Sequence, residues 1–383
     1  MIEYVPGLEN VPAAESAVSF IDGEKGILKY RGILIEELAA HSTFEEVAYL
    51  LMTGKLPNEV ELAEFSVRIG EARVLSDELR AVVKSLPASA SPMAALQTCI
   101  AAVAAVQPSK SVYDAKSREE SAIEFIGKFP SVVAAFHRHR TGKEFIDADP
   151  SRPHAADFLR MLSGEDTDSP KVRAMDVCLI LHADHTMNAS TFATRVVAST
   201  ECQAAAAFSA AVGSLSGPLH GGANEAVLHQ LEAIGSKERV AGWFEQKLAK
   251  KEKIMGMGHR VYKTKDPRCN VLQQLARDLF VKFGSSPLYD IAAELERIAI
   301  DKLGPRGIYP NVDFYAGIVY ARLGIASDLG TPIFAVSRIA GWASHWMEQM
   351  RHNRIYRPTQ VYQGEQTVSY VPMSDRKTPV RTG

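Results

Sequence analysis

The 383-residue sequence predicts a mainly helical fold of two domains with small β hairpins near the termini, and three observations carry that prediction. Apolar residues recur at helical spacing along most of the chain, whereas few segments alternate with period two. The length suits two domains at roughly 100 to 200 residues each. Hydrophobic residues make up 46% and charged residues 23%, so the chain can bury a sizeable core.

Near the start, AVSFID (17–22), a GEKG turn (23–26) and ILKYRG (27–32) read as a hairpin with a loop longer than the commonest two-residue type. Helical signals follow. Thr43 and Glu46 form a capping box before EVAYLLM, Gly54 supplies the stop, and Pro57 precedes a new element. Ser91-Pro92 and Ser169-Pro170 each start an apolar helix. Further helices fit 59–72, 117–128, 130–140, 190–213, 223–234, 269–283, 288–303 and 331–352. Residues 107–120, 141–153 and 163–170 read as polar or proline-bearing loops.

Lys plus Arg number 43 and Asp plus Glu 45, so the net charge is −2 and no global positive field favours nucleic acid or an anionic membrane. Apolar runs such as 99–106 fall short of the roughly 18 residues that a membrane span needs. The first residues, MIEYVPGLENVP, lack the basic-then-apolar run of a signal peptide. Cys99, Cys178, Cys202 and Cys269 are dispersed, with no CxxC pair, as expected of reduced thiols in a cytoplasmic protein.

Several segments carry candidate chemistry. His220 lies in SGPLHGGANE, just before a periodic run, where a helix N-terminus would lower its pKa and favour a neutral N–H donor; the plain alternative is a Gly-rich turn with an incidental histidine. His259 follows Gly256 and Gly258 in IMGMGHRVY, directly after the basic run KLAKKEK; neither GxxxxGK[ST] nor GxGxxG is present. Lys247, Lys250 and Lys251 read individually as a solvated helix end. His182 and His185, with Asp184 between them, sit near one helix face without HExxH, and His182 reads as a core histidine. Asp313, alone among apolar and aromatic residues in YPNVDFYAG, should have a raised pKa, as a base or a satisfied structural acid. Arg268, Arg338 and Arg357 stand in segments poor in obvious acid partners and suit carboxylates.

Together these segments resemble the citrate synthase family over essentially the whole chain. The likeness runs from PGLENVPA and KYRGILIEELA through LHADHTMNASTFATRV, SGPLHGGANEAV, KIMGMGHRVYK, DPR and PNVDFYAG to SRIAGW and NRIYRPTQVY. It looks like the short dimeric members of bacterial and archaeal type, which include the 2-methylcitrate synthases. Ser91 and Gln97 stand where such chains usually have His and Arg, and Asp184 where they have Glu. The resemblance implies condensation of acetyl-CoA with oxaloacetate and hydrolysis of citryl-CoA, with no metal and no cofactor. It implies Asp313 as base, His220 and His259 as donors, and His185, Arg268, Arg338 and Arg357 on oxaloacetate, Arg357 reaching the site of a homodimer partner. Lys253, Ile254, Met255, Gly256 and Met257 would hold the CoA adenine. A large domain (1–219 and 322–383) and a small one (220–321) that closes over the substrates are implied as well. Two other classes stand beside this reading: a metal-dependent hydrolase built on His185, His220 and His259, and a non-catalytic helical scaffold. Tyr315, following PNVDF, inclines the reading towards citrate over 2-methylcitrate.

Overall fold

The computed structural model describes residues 4–221, 223–284 and 286–376, so Gly222 of the His220 turn lies outside the described residues. The chain divides into a terminal unit, from the described parts of Met1–Glu15 and Tyr356–Gly383, and a main unit, Ser16–Ile355.

In the main unit, β1 (Ser19–Asp22), β2 (Ile27–Tyr30) and β3 (Ile33–Leu34) form an antiparallel sheet in that order, with Asp22 opposite Ile27. The GEKG turn is held by Asp22 Oδ1, which accepts from the Lys25 N–H at 3.0 Å. Residues 352–376 contain only a short turn, Met373–Asp375, among the described residues, so the strands cluster at the N-terminal end. Pro358 and Pro372 lack the N–H that a ladder needs, and the segment is mostly exposed.

Helices supply the rest. After α1 (Ile35–His41), α2 (Phe44–Thr53) starts at Thr43, whose Oγ1 accepts from the Glu46 N–H, and ends at Gly54 with φ +88°. The expected box is half formed, because the Glu46 carboxylate accepts a hydrogen bond from the Ser42 hydroxyl instead. A complete box opens α3 (Glu59–Ala72), between Asn58 and Glu61. α4 (Asp77–Ser85) precedes α5 (Pro92–Val106), which Ser91 caps by accepting from the Ala94 N–H. The two helices expected on either side of Pro130 are one, α6 (Ala115–Arg140). An interior proline costs about 3 kcal/mol, but α6 is buried from Ser121 to Phe136 and packing along that length outweighs the missing bond.

α7 (His154–Ser163) and α8 (Ser169–His182) follow. The single helix expected over 190–213 is two, α9 (Ala189–Ala198) and α10 (Ala204–Leu215), parted where Glu201 adopts φ +63°. α11 (Ala223–Ile234), α12 (Val240–Ala249), α13 (Pro267–Phe283), α14 (Pro287–Leu303) and α15 (Asp313–Arg322) lead to α16 (Gly330–Arg351). α16 is buried along most of its length, with Trp342 and Trp346 fully enclosed, and packs on α2, α6, α8, α9 and α10. A helix buried all round is a core element, and this one carries Arg338 into the interior. α15 packs on α11 and α13 and brings Asp313 towards Arg268 at the start of α13.

The crossing of α3 and α6 is close because Gly127 lacks a side chain: a Cβ there would lie 2.7 Å from Ala72 Cβ. Gly127→Ala should therefore cost about 1–3 kcal/mol through overpacking, read as a lower melting temperature; an unchanged melt would show that the crossing can relax.

Candidate active site

α8 ends at His182, and the chain then turns through residues 183–188 into α9. His182 is a core histidine, as expected: it is fully buried and its Nδ1–H donates to the Cys178 carbonyl at 2.7 Å. His185 lies beyond the helix end instead of on its face. Its ring is buried, and Nε2 lies 3.3 Å from the Tyr262 hydroxyl. The next residue, Thr186, has φ +50°, a strained conformation for a β-branched residue. That strain is held by its N–H, which donates to Ser19 Oγ and Asp184 Oδ2, each at 3.1 Å. Asp184 is fully buried; it also accepts the Ser19 hydroxyl and lies 3.3 Å from His345 Nε2.

His220 occupies a turn after α10, its N–H donating to the Gly217 carbonyl. The start of α9 acts on it, a helix end that the sequence reading did not name. The Ser190 N–H, an unsatisfied donor in the first turn of α9, points at His220 Nε2 at 3.3 Å. A backbone N–H can only donate, so Nε2 carries the lone pair and Nδ1 carries the proton. The Ser190 hydroxyl lies 2.8 Å from both His220 Nε2 and Asn188 Oδ1 and accepts the Trp342 indole N–H at 3.1 Å. Burial, then the Arg338 charge, lowers the His220 pKa to about 4.

His259 has the opposite tautomer for the same reason. Its Nδ1 accepts from the N–H groups of Val261 at 3.0 Å and Tyr262 at 3.2 Å, which leaves the proton on Nε2. Burial, then the Arg268 charge, brings its pKa to about 4. His185 is likewise held well below the ordinary value by burial and then by Arg268. All three rings are neutral near pH 7.

Asp313 begins α15 and is pushed up to about 6 by desolvation, against the lowering charges of Arg268 and Arg338. The neighbouring loop fixes its place. Asn311 N–H donates to the Gly256 carbonyl at 2.9 Å, its side chain donates to the Gly258 carbonyl at 3.0 Å, and its Oδ1 accepts the Asp313 N–H at 3.0 Å. Gly256 has φ +78°, and a Cβ there would meet Phe314 and Val227 at 2.8 Å. Of the other residues in the 253–257 loop, Lys253 is exposed, Ile254 is buried and Met257 pairs with Pro310, while Gln230 on α11 bonds both backbone groups of Met255. Lys247 pairs with Glu252, in keeping with a solvated helix end.

Arg268 and Arg338 are each 2% exposed. Arg268 has an acid partner that the sequence reading passed over: Asp266, two residues away, accepts its Nε at 3.0 Å and Nη2 at 2.7 Å. Arg338 donates through Nε to the His182 carbonyl at 2.6 Å and stacks 4.6 Å over Phe334, with no ion pair among the described residues. Burial lowers its pKa to about 10, so it stays charged. A buried guanidinium without a carboxylate partner is a ready seat for an anion. Arg357 belongs to the terminal unit, where it is exposed and donates to the Pro358 carbonyl. The histidine trio of the metal reading is not assembled. Among the described residues His185 and His259 group with Asp266 instead, and the Arg268 fork occupies both oxygens of that carboxylate.

Residues 7–359 match the profile described as "Citrate synthase, C-terminal domain". This chain belongs to the citrate synthase family. It is 50% identical over 377 residues to the citrate synthase of Synechocystis sp., covering 98% of this chain and 95% of that one, and 44% identical to that of Acidithiobacillus ferridurans, covering 97% and 98%. Among solved structures it is similar to a ternary complex of carboxymethyl coenzyme A and oxaloacetate with citrate synthase from Thermoplasma acidophilum. The TM-score there is 0.92 at 34% identity, covering 98% of this chain and 100% of that one. Membership in the family makes the chain an acyltransferase and removes the scaffold reading; the names of these relatives do not favour the 2-methylcitrate alternative. Tyr315, on which the sequence reading leaned, is buried with its hydroxyl donating to Glu296 at 2.6 Å. Gln97 packs at Gly213 of α10.

The Asp313 carboxyl binds its proton more tightly in the fold, at about 6, than its ordinary value of 3.8 allows, so ionising it destabilises the protein. Stability is therefore lost as pH rises from about 4 to about 6. Asp313→Asn should melt above the wild type at about pH 8, with the gap closing near pH 4. A wild type at least as stable as the variant at the higher pH would contradict a desolvated carboxylate.

Proposed function

We propose that the chain condenses acetyl-CoA with oxaloacetate and hydrolyses citryl-CoA to citrate and CoA, using the side chains assigned as follows. One observation carries the assignment: two neutral imidazoles with opposite, backbone-determined tautomers, and a carboxylate raised to about 6, all feel the charge of Arg268 or Arg338. A thioester methyl is a weak carbon acid, so its deprotonation needs a base at hand and a donor at the developing enolate oxygen. Asp313 takes the proton, and the Nδ1–H of His220 faces the enolate oxygen. The carbon then attacks the oxaloacetate ketone, whose oxygen receives the Nε2–H of His259. Neutral donors suit both steps, because an imidazolium near Arg268 and Arg338 would be repelled. The buried guanidinium groups and His185 hold the dianion. Acetyl-CoA is a substrate and neither a metal nor a cofactor is required. The loop Lys253–Met257 receives the CoA adenine.

His220, His259, Arg268 and Asp313 lie within 220–321, whereas His185 and Arg338 lie outside it, which supports a small domain that closes on a larger one (1–219 and 322–383). Closure excludes water until citryl-CoA has formed. The enzyme works as a homodimer in which Arg357 of the partner subunit completes each site. The terminal unit that carries Arg357 exposes Tyr362, Tyr370 and Met373, apolar surface suited to packing on a second copy. Four free cysteines, three of them buried, support a cytoplasmic location, and among the described residues no helix is long and apolar enough to cross a membrane.

Release of CoA from acetyl-CoA should depend on oxaloacetate, with kcat/KM higher for acetyl-CoA than for propionyl-CoA. Release without oxaloacetate would overturn the condensation. Asp313→Asn should lose about a hundred- to ten-thousand-fold in kcat, and a variant that keeps more than about a tenth removes Asp313 as the base. Arg357→Ala and Asp313→Ala should each be nearly inactive. Unfolded together and reassembled, they should regain about a quarter of wild-type activity, since random pairing makes half the dimers mixed, each with one intact site. Mixed dimers as inactive as their parents would place Arg357 in its own subunit's site.

A further inference from the structure

Tyr262 links the two histidines that flank it in the site. Its backbone N–H donates to His259 Nδ1 at 3.2 Å, and its hydroxyl lies 3.3 Å from His185 Nε2. The rings form a compact triangle: centroids are 4.8 Å apart between His259 and Tyr262, 5.6 Å between His185 and Tyr262, and 5.1 Å between the two histidines. Tyr262 is 1% exposed, and its hydroxyl has no partner among the described residues other than His185. We propose that Tyr262 is the positioning residue for His185: its hydroxyl donates to Nε2, and thereby fixes the His185 proton on Nδ1, the ring nitrogen left free to donate to a substrate carboxylate.

Two orientations of this hydrogen bond exist for a neutral ring. With Nε2–H donating to the phenol oxygen, Nδ1 would present a lone pair to an incoming dianion, which repels it. With the phenol donating, Nδ1 presents a proton. An imidazole nitrogen is also a stronger acceptor than a phenol oxygen, so both considerations select the same orientation. Burial raises the Tyr262 pKa, so the hydroxyl keeps its proton throughout the working pH range. No positive charge is added: Arg268 and Arg338 supply the attraction, and Tyr262 supplies the tautomer.

This inference rests on the reading of oxaloacetate as the anion at His185, and the experiment separates the two. Tyr262→Phe removes only the hydroxyl; the ring contacts and the N–H to His259 remain, so folding and the His259 tautomer are preserved. The constants to measure are kcat and the KM for oxaloacetate in wild type, Tyr262→Phe, His185→Gln and the double variant. Tyr262→Phe should raise the oxaloacetate KM by about tenfold while kcat stays within about threefold, the pattern of a lost ground-state contact. In the His185→Gln background the same change should alter KM by less than about twofold, because a residue acting through His185 has nothing left to orient. An unchanged KM in the single variant, or an equal factor in both backgrounds, overturns the positioning role while a working wild type upholds the oxaloacetate reading. A wild type that does not turn over oxaloacetate overturns both.

Discussion

Two guanidinium groups, Arg268 and Arg338, are held almost out of water, and the same exclusion of water, with their charges acting second, sets the protonation states of the groups around them. Burying a charge costs several kcal/mol unless it is paired, and the two residues meet this cost differently. Arg268 is locked to Asp266 by a bidentate contact, while Arg338 relies on the His182 carbonyl and the Phe334 ring. The second arrangement leaves an unpaired cation on the buried helix α16, a position that packing on α8 and α9 makes rigid. Burial first, and these charges second, hold His185, His220 and His259 neutral, while the same charges oppose the desolvation that raises Asp313. The result is a pocket that attracts anions, carries neutral donors and contains a carboxylate basic enough to accept a proton yet ionised near pH 7.

The tautomers have a separate origin. Each imidazole takes its proton position from rigid backbone: the first turn of α9 for His220, and the 261–262 segment for His259. Because a backbone N–H cannot accept, no rearrangement of a side-chain rotor reverses the assignment. The first of these supports reaches the core through Trp342, which donates to Ser190 at the same helix end. Behind His185 the buried Asp184, His345 and Arg195, with the partly buried Glu348, join β1 to α9 and α16, Arg195 donating to His345 Nδ1 at 2.9 Å and to the Glu348 carboxylate. Geometry fixed before substrate arrives avoids reorganisation during the reaction.

Much of this was legible in the sequence, and the limits have physical causes. Caps and stops placed α2 and α5, because a capping contact spans only a few residues, and Pro170 in the first turn placed α8. The hairpin followed from the GEKG turn for the same reason. The motif resemblance brought out His220, His259 and Asp313, and local polarity anticipated the raised Asp313 pKa. Pro130 misled, since burial of α6 is a property of its neighbours and not of its own sequence. The support of His220 by Ser190, of His185 by Tyr262 and of Asp184 by His345 joins residues that are 30, 77 and 161 positions apart, and no periodicity records such contacts. Asp266 is different: the DPR segment held the partner of Arg268 in plain view, and the signal was a carboxylate two residues before a buried arginine.

The central claim is that His220 and His259 are neutral, oppositely protonated donors, and nitrogen NMR of imidazole-labelled protein tests it most directly. Single His→Gln variants would assign the two rings. Across about pH 6 to 8, about two units or more above pKa values of about 4, the account predicts a proton on Nδ1 of His220 and on Nε2 of His259, with no titration of either. Imidazolium signals for either ring near pH 7, or the same tautomer in both, would contradict it.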